Sequence, residues 1–186
     1  MKTSFVVCSC LLASCGVAQA QAPVGRRAIT WAQAQEQSFP SFRTHPGAKY
    51  DYHIAAMQWL LKNQGFFKTK PDGVFGSGTT RAVKNFQRAK GLLVDGVVGP
   101  KTWARLCVRL RQGDRGSAVR ALQILLNGGP HVESDTGYRN MYEDGVFGSE
   151  TGDYLRMAQE GADIAPDGVA GPRTWSVLLT PEGDHQ

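Results

Sequence analysis

Beyond residue 20 the chain has a single cysteine, Cys107; the other three of its four lie within the first fifteen residues. A lone thiol closes no internal disulfide, so this chain must hold together by packing alone. Cys107 ends an apolar helical stretch and reads as a buried, inert thiol, because a nucleophile would want a nearby histidine and a depressed pKa. Histidine is scarce as well: His45, His53, His131 and His185 are the whole supply. That leaves little from which to build the ligand set of a metal-dependent hydrolase. Also missing is any later run approaching the roughly 20 apolar residues of a membrane-spanning helix. The short apolar run Phe5–Leu12, with one early lysine and Ala18-Gln19-Ala20 behind it, reads instead as a secretory signal. "LASC" at 12–15 resembles a bacterial lipobox, which would make Cys15 a lipid anchor. No continuous basic surface is written into the sequence. Residues 51–107 carry nine Lys/Arg against three acids, whereas 114–179 carry five Arg against ten acids. Such asymmetry argues against a nucleic-acid binder and suits an anionic ligand on the first half, or attraction between the halves.

What the sequence does have is repetition. "DGVFGSGT" (72–79), "DGVVGPKT" (95–102), "DGVFGSET" (144–151) and "DGVAGPRT" (167–174) fall in two pairs, each with a spacing of 23 and the pairs 72 residues apart. Asp72–Leu106 aligns with Asp144–Leu178 without a gap, setting Gln87 on Gln159 and Trp103 on Trp175. Upstream, "MQWLL" (57–61) matches "LQILL" (122–126) at an offset of 65, so the second copy has seven extra residues before its first phrase. A tandem duplication accounts for all of this.

Within each copy the apolar period is helical. Ile54, Met57 and Leu61 are spaced i, i+3, i+7, and Val119, Leu122 and Leu126 repeat that spacing. A second helix is expected over about Ser77–Lys90 and a third over about Pro100–Cys107, with Trp103 and Trp175 inward. Each phrase stands directly before a helix. Its first glycine permits a positive-φ turn, its Asp can accept turn amides, its second glycine sits at the N-cap, and Pro100 and Pro172 fall at the first helical position. A calcium loop would need several alternating oxygen ligands, and a phosphate loop a Gly-Lys-Thr that "GVVGPKT" lacks. The phrase is therefore a helix starter. The fold class is all-α: two tandem three-helix bundles with DG-x-x-G turns. The expected organisation is a signal peptide (1–20), a tether (21–50), module 1 (51–107), module 2 (113–179) and a tail (180–186).

The stretches "AAMQWLLKNQGFF", "DGVFGSGTTRAVKNFQRAKGLLVDGVVGPKTWARL" and "GDRGSAVRALQILL" resemble the peptidoglycan-binding domain family, a small three-helix module. The resemblance implies attachment to cell-wall glycan or its stem peptides without a reaction. Module 1 follows the family pattern apart from its opening, which lacks Gly-Asp-x-Gly. Module 2 departs further, with Ala158-Gln159 in place of Phe-Gln. Ala82/Phe86 in the first copy become Tyr154/Ala158 in the second, one helical turn apart, so large and small have traded places.

Candidate ligand contacts are Phe67 and Phe75 beside loops, where rings can meet sugar faces, and Arg81 and Lys84 on the second helix, where they can meet carboxylates. Gln58 reads two ways: as a buried amide tying the DG turn to the core, or as an outward group holding a sugar N-acetyl. It is kept among the ligand candidates. His131, Glu133 and Asp135 alternate in the inserted loop, where a flexible acidic loop is the default over a metal site. No catalytic residues, cofactor or metal are expected. The reading is a secreted, monomeric, non-catalytic binder of peptidoglycan or a related N-acetylglucosamine glycan such as chitin, with no nucleic-acid partner and no membrane span. Module 1 is the expected binder, with module 2 docked on it by opposite charge. Two alternatives stand beside it: a wall hydrolase or an accessory working with a separate hydrolase, and a secreted protein-binding adaptor.

Overall fold

The computed structural model of the chain describes residues 50–128 and 141–180. The expected signal peptide with Cys15, nearly all of the tether, His131, Glu133 and Asp135, and the tail beyond Thr180 lie outside the described residues. Among the described residues six helices follow in order: α1 (Tyr52–Asn63), α2 (Ser77–Ala89), α3 (Pro100–Leu106), α4 (Ser117–Gly128), α5 (Ser149–Gly161) and α6 (Pro172–Leu179). The first three make one module and the last three its twin. Two isolated β bridges join described residues, Leu110 with Ala170 and Arg115 with Val146.

The turn phrases act as the sequence analysis argues. Gly76, Gly99, Gly148 and Gly171 are the extended N-cap residues of α2, α3, α5 and α6, and Pro100 and Pro172 open their helices. The first glycine of each phrase has a positive φ, between 67° and 77° at Gly73, Gly96, Gly145 and Gly168. At Gly145 the requirement is doubled, since a Cβ there would stand 2.9 Å from the Gly116 carbonyl oxygen. α1 starts differently. Asp51 caps it, its carboxylate accepting from the backbone N–H of His53 and Ile54.

The core holds Trp103, Trp175, Phe75, Phe86, Phe147, Met57 and Leu122, all essentially inaccessible. Phe86 fills module 1, with the half-buried Phe66 edge-on at 5.4 Å, while in module 2 Ala158 is buried and Tyr154 packs partly against the core. The exchange of large and small side chains thus occurs within one packed volume.

The two modules share that core. α1 and α4 form the most extensive helix–helix contact among the described residues. They run antiparallel, with Tyr52 near the α1 start against Gly128 at the α4 end, and Arg120 near the α4 start 4.8 Å from the Trp59 ring. Each helix buries eight of its twelve residues, more than one amphipathic stripe requires. α4 buries Ala118, Ala121, Ile124 and Leu125 as well as Val119, Leu122 and Leu126, a second buried face beyond one stripe, and α1 is the helix it meets most extensively. The linker is also engaged: Leu110 exchanges backbone hydrogen bonds with Ala170, and the Trp175 indole N–H donates to the Val108 carbonyl at 2.7 Å. The expected attraction between oppositely charged halves is not what joins them. Among the described residues no ion pair crosses between modules, and the seam is built of apolar side chains with Arg120 set over the Trp59 ring.

Candidate functional site

Four glutamines organise the modules. The Gln58 amide nitrogen donates to Asp72 Oδ1 (2.7 Å), the Val74 carbonyl (3.0 Å) and Thr79 Oγ1 (3.0 Å), while its oxygen accepts from the N–H of Asp72 and Gly73 at 2.9 Å. Gln87 does the same with Asp95, Val97, Thr102 and Gly96; Gln123 with Asp144, Val146, Thr151 and Gly145; and Gln159 with Asp167, Val169, Thr174 and Gly168. Each Asp also accepts from the backbone N–H two residues on. One buried amide per turn therefore satisfies the buried glycine N–H and meets the buried threonine hydroxyl, while also tying in an Asp carboxylate at the surface. The Gln58 amide holds the Asp72 carboxyl below the ordinary aspartate value, with the Val74 N–H assisting; Gln123 and the Val146 N–H act likewise on Asp144.

This placement separates the five candidate ligand contacts. Gln58 is 0 % exposed, and both ends of its amide are committed to the turn, so it presents nothing to a ligand. Phe75, at 1 %, is core. Phe75 sits beside a loop, where a residue can be inside or outside, whereas for Gln58, in the middle of α1, the structure selects the turn-tying one of its two readings. Phe67, 8 % exposed, still contributes an edge to a groove of about 270 Å³ between the loop after α1 and the outer face of α2. Phe66, Lys68, Gly78, Arg81 and Asn85 line it with Phe67. The groove continues along α2 into a shallower recess of about 490 Å³ lined by Ser77, Thr80, Arg81, Lys84, Asn85 and Arg88. The structure therefore brings Phe67, Arg81 and Lys84 to one continuous face and leaves Gln58 and Phe75 behind it. Asn85 was missed in the sequence. Its signal was its place between Arg81 and Arg88, on the same helix face.

Among the described residues no carboxylate pairs with Arg81, Lys84 or Arg88; Arg88 donates to the Asn85 side-chain oxygen at 3.2 Å. The twin face differs. At the positions of Gly78, Arg81 and Arg88 module 2 has Glu150, Asp153 and Glu160. Its one retained cation, Arg156 in place of Lys84, is paired with Asp153 at 2.6 Å. Elsewhere, burial pushes the Cys107 thiol well above its ordinary value, as an inert buried cysteine requires. No helix among the described residues is long and apolar enough to cross a membrane, and no three His, Cys, Asp or Glu side chains converge there.

Comparison with known proteins agrees with the helical geometry. A spore cortex-lytic enzyme of Bacillus cereus is 43% identical over 65 residues, covering 35% of this chain and 25% of that protein. A probable N-acetylmuramoyl-L-alanine amidase of Bacillus licheniformis is 27% identical over 150 residues, 69% of this chain and 42% of the relative. The N-acetylmuramoyl-L-alanine amidase CwlM of Mycobacterium tuberculosis is 34% identical over 113 residues, 54% of this chain and 26% of its own length. The chain thus spans between a quarter and about two fifths of these relatives. No solved structure matches it significantly. The profile of the family described as "Putative peptidoglycan binding domain" matches residues 52–106 and again 115–178, one stretch over each three-helix bundle. With well over half its length matched and the helices laid out twice in the same order, the chain belongs to the peptidoglycan-binding domain family.

Proposed function

We propose that this protein is a non-catalytic cell-wall binder, exported and acting as a monomer, which grips peptidoglycan through the outer face of α2 in module 1. The observation that carries this is the groove beside Phe67 running into an unpaired row of Arg81, Lys84 and Arg88. Apolar ring edges next to cations suit a ligand with sugar rings and carboxylates. Module 2 serves as the structural partner whose α4 completes the burial of α1. Its own face, with Arg156 neutralised by Asp153, has nothing comparable to offer. The non-catalytic reading is supported by the interior: of the ten polar side chains buried among the described residues, eight belong to the turn networks, leaving His53 and Ser176. Cosedimentation of the protein with purified insoluble wall is the expected result. Clearing of wall material in a zymogram by the chain alone would refute the non-catalytic part.

A second reading has one observation in its favour. The relatives named above are lytic enzymes, and this chain matches only a part of each. It would then act as the anchoring partner of a separate hydrolase. Enhancement of a hydrolase's wall clearing by added protein, with no clearing by the protein alone, distinguishes the two.

A further inference from the structure

Resting on that reading of the α2 face, we propose that the ligand group recognised there is a free carboxylate of the wall's stem peptide, and that neutral N-acetylglucosamine polymer is not a ligand. The face offers three cations on one helix at 81, 84 and 88, successive turns along a single side. None has a carboxylate partner among the described residues, and the residues lining the groove and the recess include no acid. Like charges set that close repel one another, so the free protein carries an electrostatic penalty that an anion removes. A neutral glycan would leave the penalty in place and would desolvate guanidinium groups without compensation.

The duplication supplies an internal control. Module 2 has the same helix in the same frame, yet Asp153 and Glu160 stand where module 1 has Arg81 and Arg88, and Asp153 occupies its remaining cation. Two copies of one scaffold have diverged to opposite charge on the same face while keeping identical buried turn networks. The difference therefore concerns what the faces meet outside, since both sets of side chains fold equally well on α2 and α5. Asn85 adds an amide beside the arginines, which can donate to a carboxylate or to the peptide group next to it. Phe67 and Phe66 bound the other end of the groove, where the apolar face of a sugar or of an aliphatic side chain of the peptide can lie.

The test uses the full chain and two defined soluble probes: a disaccharide–peptide wall fragment with free carboxylates and the same fragment with those carboxylates amidated. A chitin oligomer serves as the neutral glycan. Titration should show the free-carboxylate fragment binding at least tenfold tighter than the amidated one, no binding of the chitin oligomer, and affinity falling as NaCl is raised from low to physiological strength. The double variant Arg81→Asp/Arg88→Glu, which installs the charges module 2 already tolerates, should lose at least tenfold in affinity with an unchanged thermal transition. The charge-altering control Arg105→Gln, on α3, should bind normally. Equal affinity for the free and amidated fragments overturns the inference while leaving wall binding intact. Failure to bind either fragment or insoluble wall overturns the functional reading itself. Retention of DNA as tight as that of the wall fragment would also overturn it, because the face would then be a general polyanion surface.

Discussion

Replacing Gln58 with alanine tests whether one amide holds the first turn together. The substitution removes acceptors from the N–H groups of Asp72 and Gly73 and donors from Asp72, Val74 and Thr79. Gly73 is buried, and an unsatisfied buried donor costs about 1–3 kcal/mol. The vacated volume adds roughly 1–2 kcal/mol, because the α1 backbone cannot collapse onto the turn. Water can reach Asp72, which is exposed, so that group adds little. The total is about 2–5 kcal/mol, or roughly 8–20 °C in melting temperature for a folded body of this size. Gln58→Glu preserves the shape but sets an anionic oxygen where a donor now lies 2.7 Å from the Asp72 carboxylate. Its destabilisation should exceed that of alanine at neutral pH and shrink on acidification, as one of the two carboxyls takes a proton. Urea unfolding of the wild type and both variants at pH 7 and pH 4.5 measures this. A loss under about 1 kcal/mol for Gln58→Ala, or a pH-independent loss for Gln58→Glu, would refute the claim that the amide satisfies the turn.

Four further outcomes follow from the same geometry. Asp51, Asp72 and Asp144 all lie below the ordinary aspartate value, through the His53 side chain, the Gln58 amide and the Gln123 amide respectively. Their stabilisation is therefore complete above the unfolded carboxyl range and lost as pH falls through the folded values; a melting series should be flat near neutrality and drop only below about pH 4. Gly148→Ser at the α5 N-cap, where a Cβ meets nothing within 4 Å, should supply a missing cap and raise stability by about 0.2–0.5 kcal/mol. Gly145→Ala, forced against the Gly116 carbonyl at positive φ, should cost at least about 1–2 kcal/mol by the same denaturant assay. Finally, the wild type should unfold in one transition seen equally by tryptophan fluorescence and circular dichroism, and Ala121→Glu, at a buried position of α4, should cost more than about 3 kcal/mol or split that transition in two.

Much of the fold was legible because local chemistry and global architecture agree. The i, i+3, i+7 apolar spacing marked the first helices, the glycine and proline placements marked the starts of the others, and the 72-residue offset marked the duplication. The inward tryptophans followed from the same pattern. The site was legible in part. Arg81 and Lys84 are exposed because cations on a helix seldom bury, and that expectation is physical. Phe75 misled because a side chain next to a turn can face either way; Gln58, in the middle of α1, read both as a buried amide tying the turn and as an outward group, and the packed neighbours decided for the first.

The sequence by itself determined two three-helix modules, the turns that begin their helices and the sign of charge each carries. These depend on residues close along the chain, where propensity and periodicity act directly. Tertiary structure alone decided that the modules share one core, because the second buried stripes of α1 and α4 (the small residues at Ala56, Ala118 and Ala121 among them) carry no periodic signal separable from the first. It also decided which polar groups are spent on the turns and which remain for a ligand. That allocation depends on hydrogen bonds between groups up to 28 residues apart, as for Gln123 and Thr151, and spacing along a chain does not encode it.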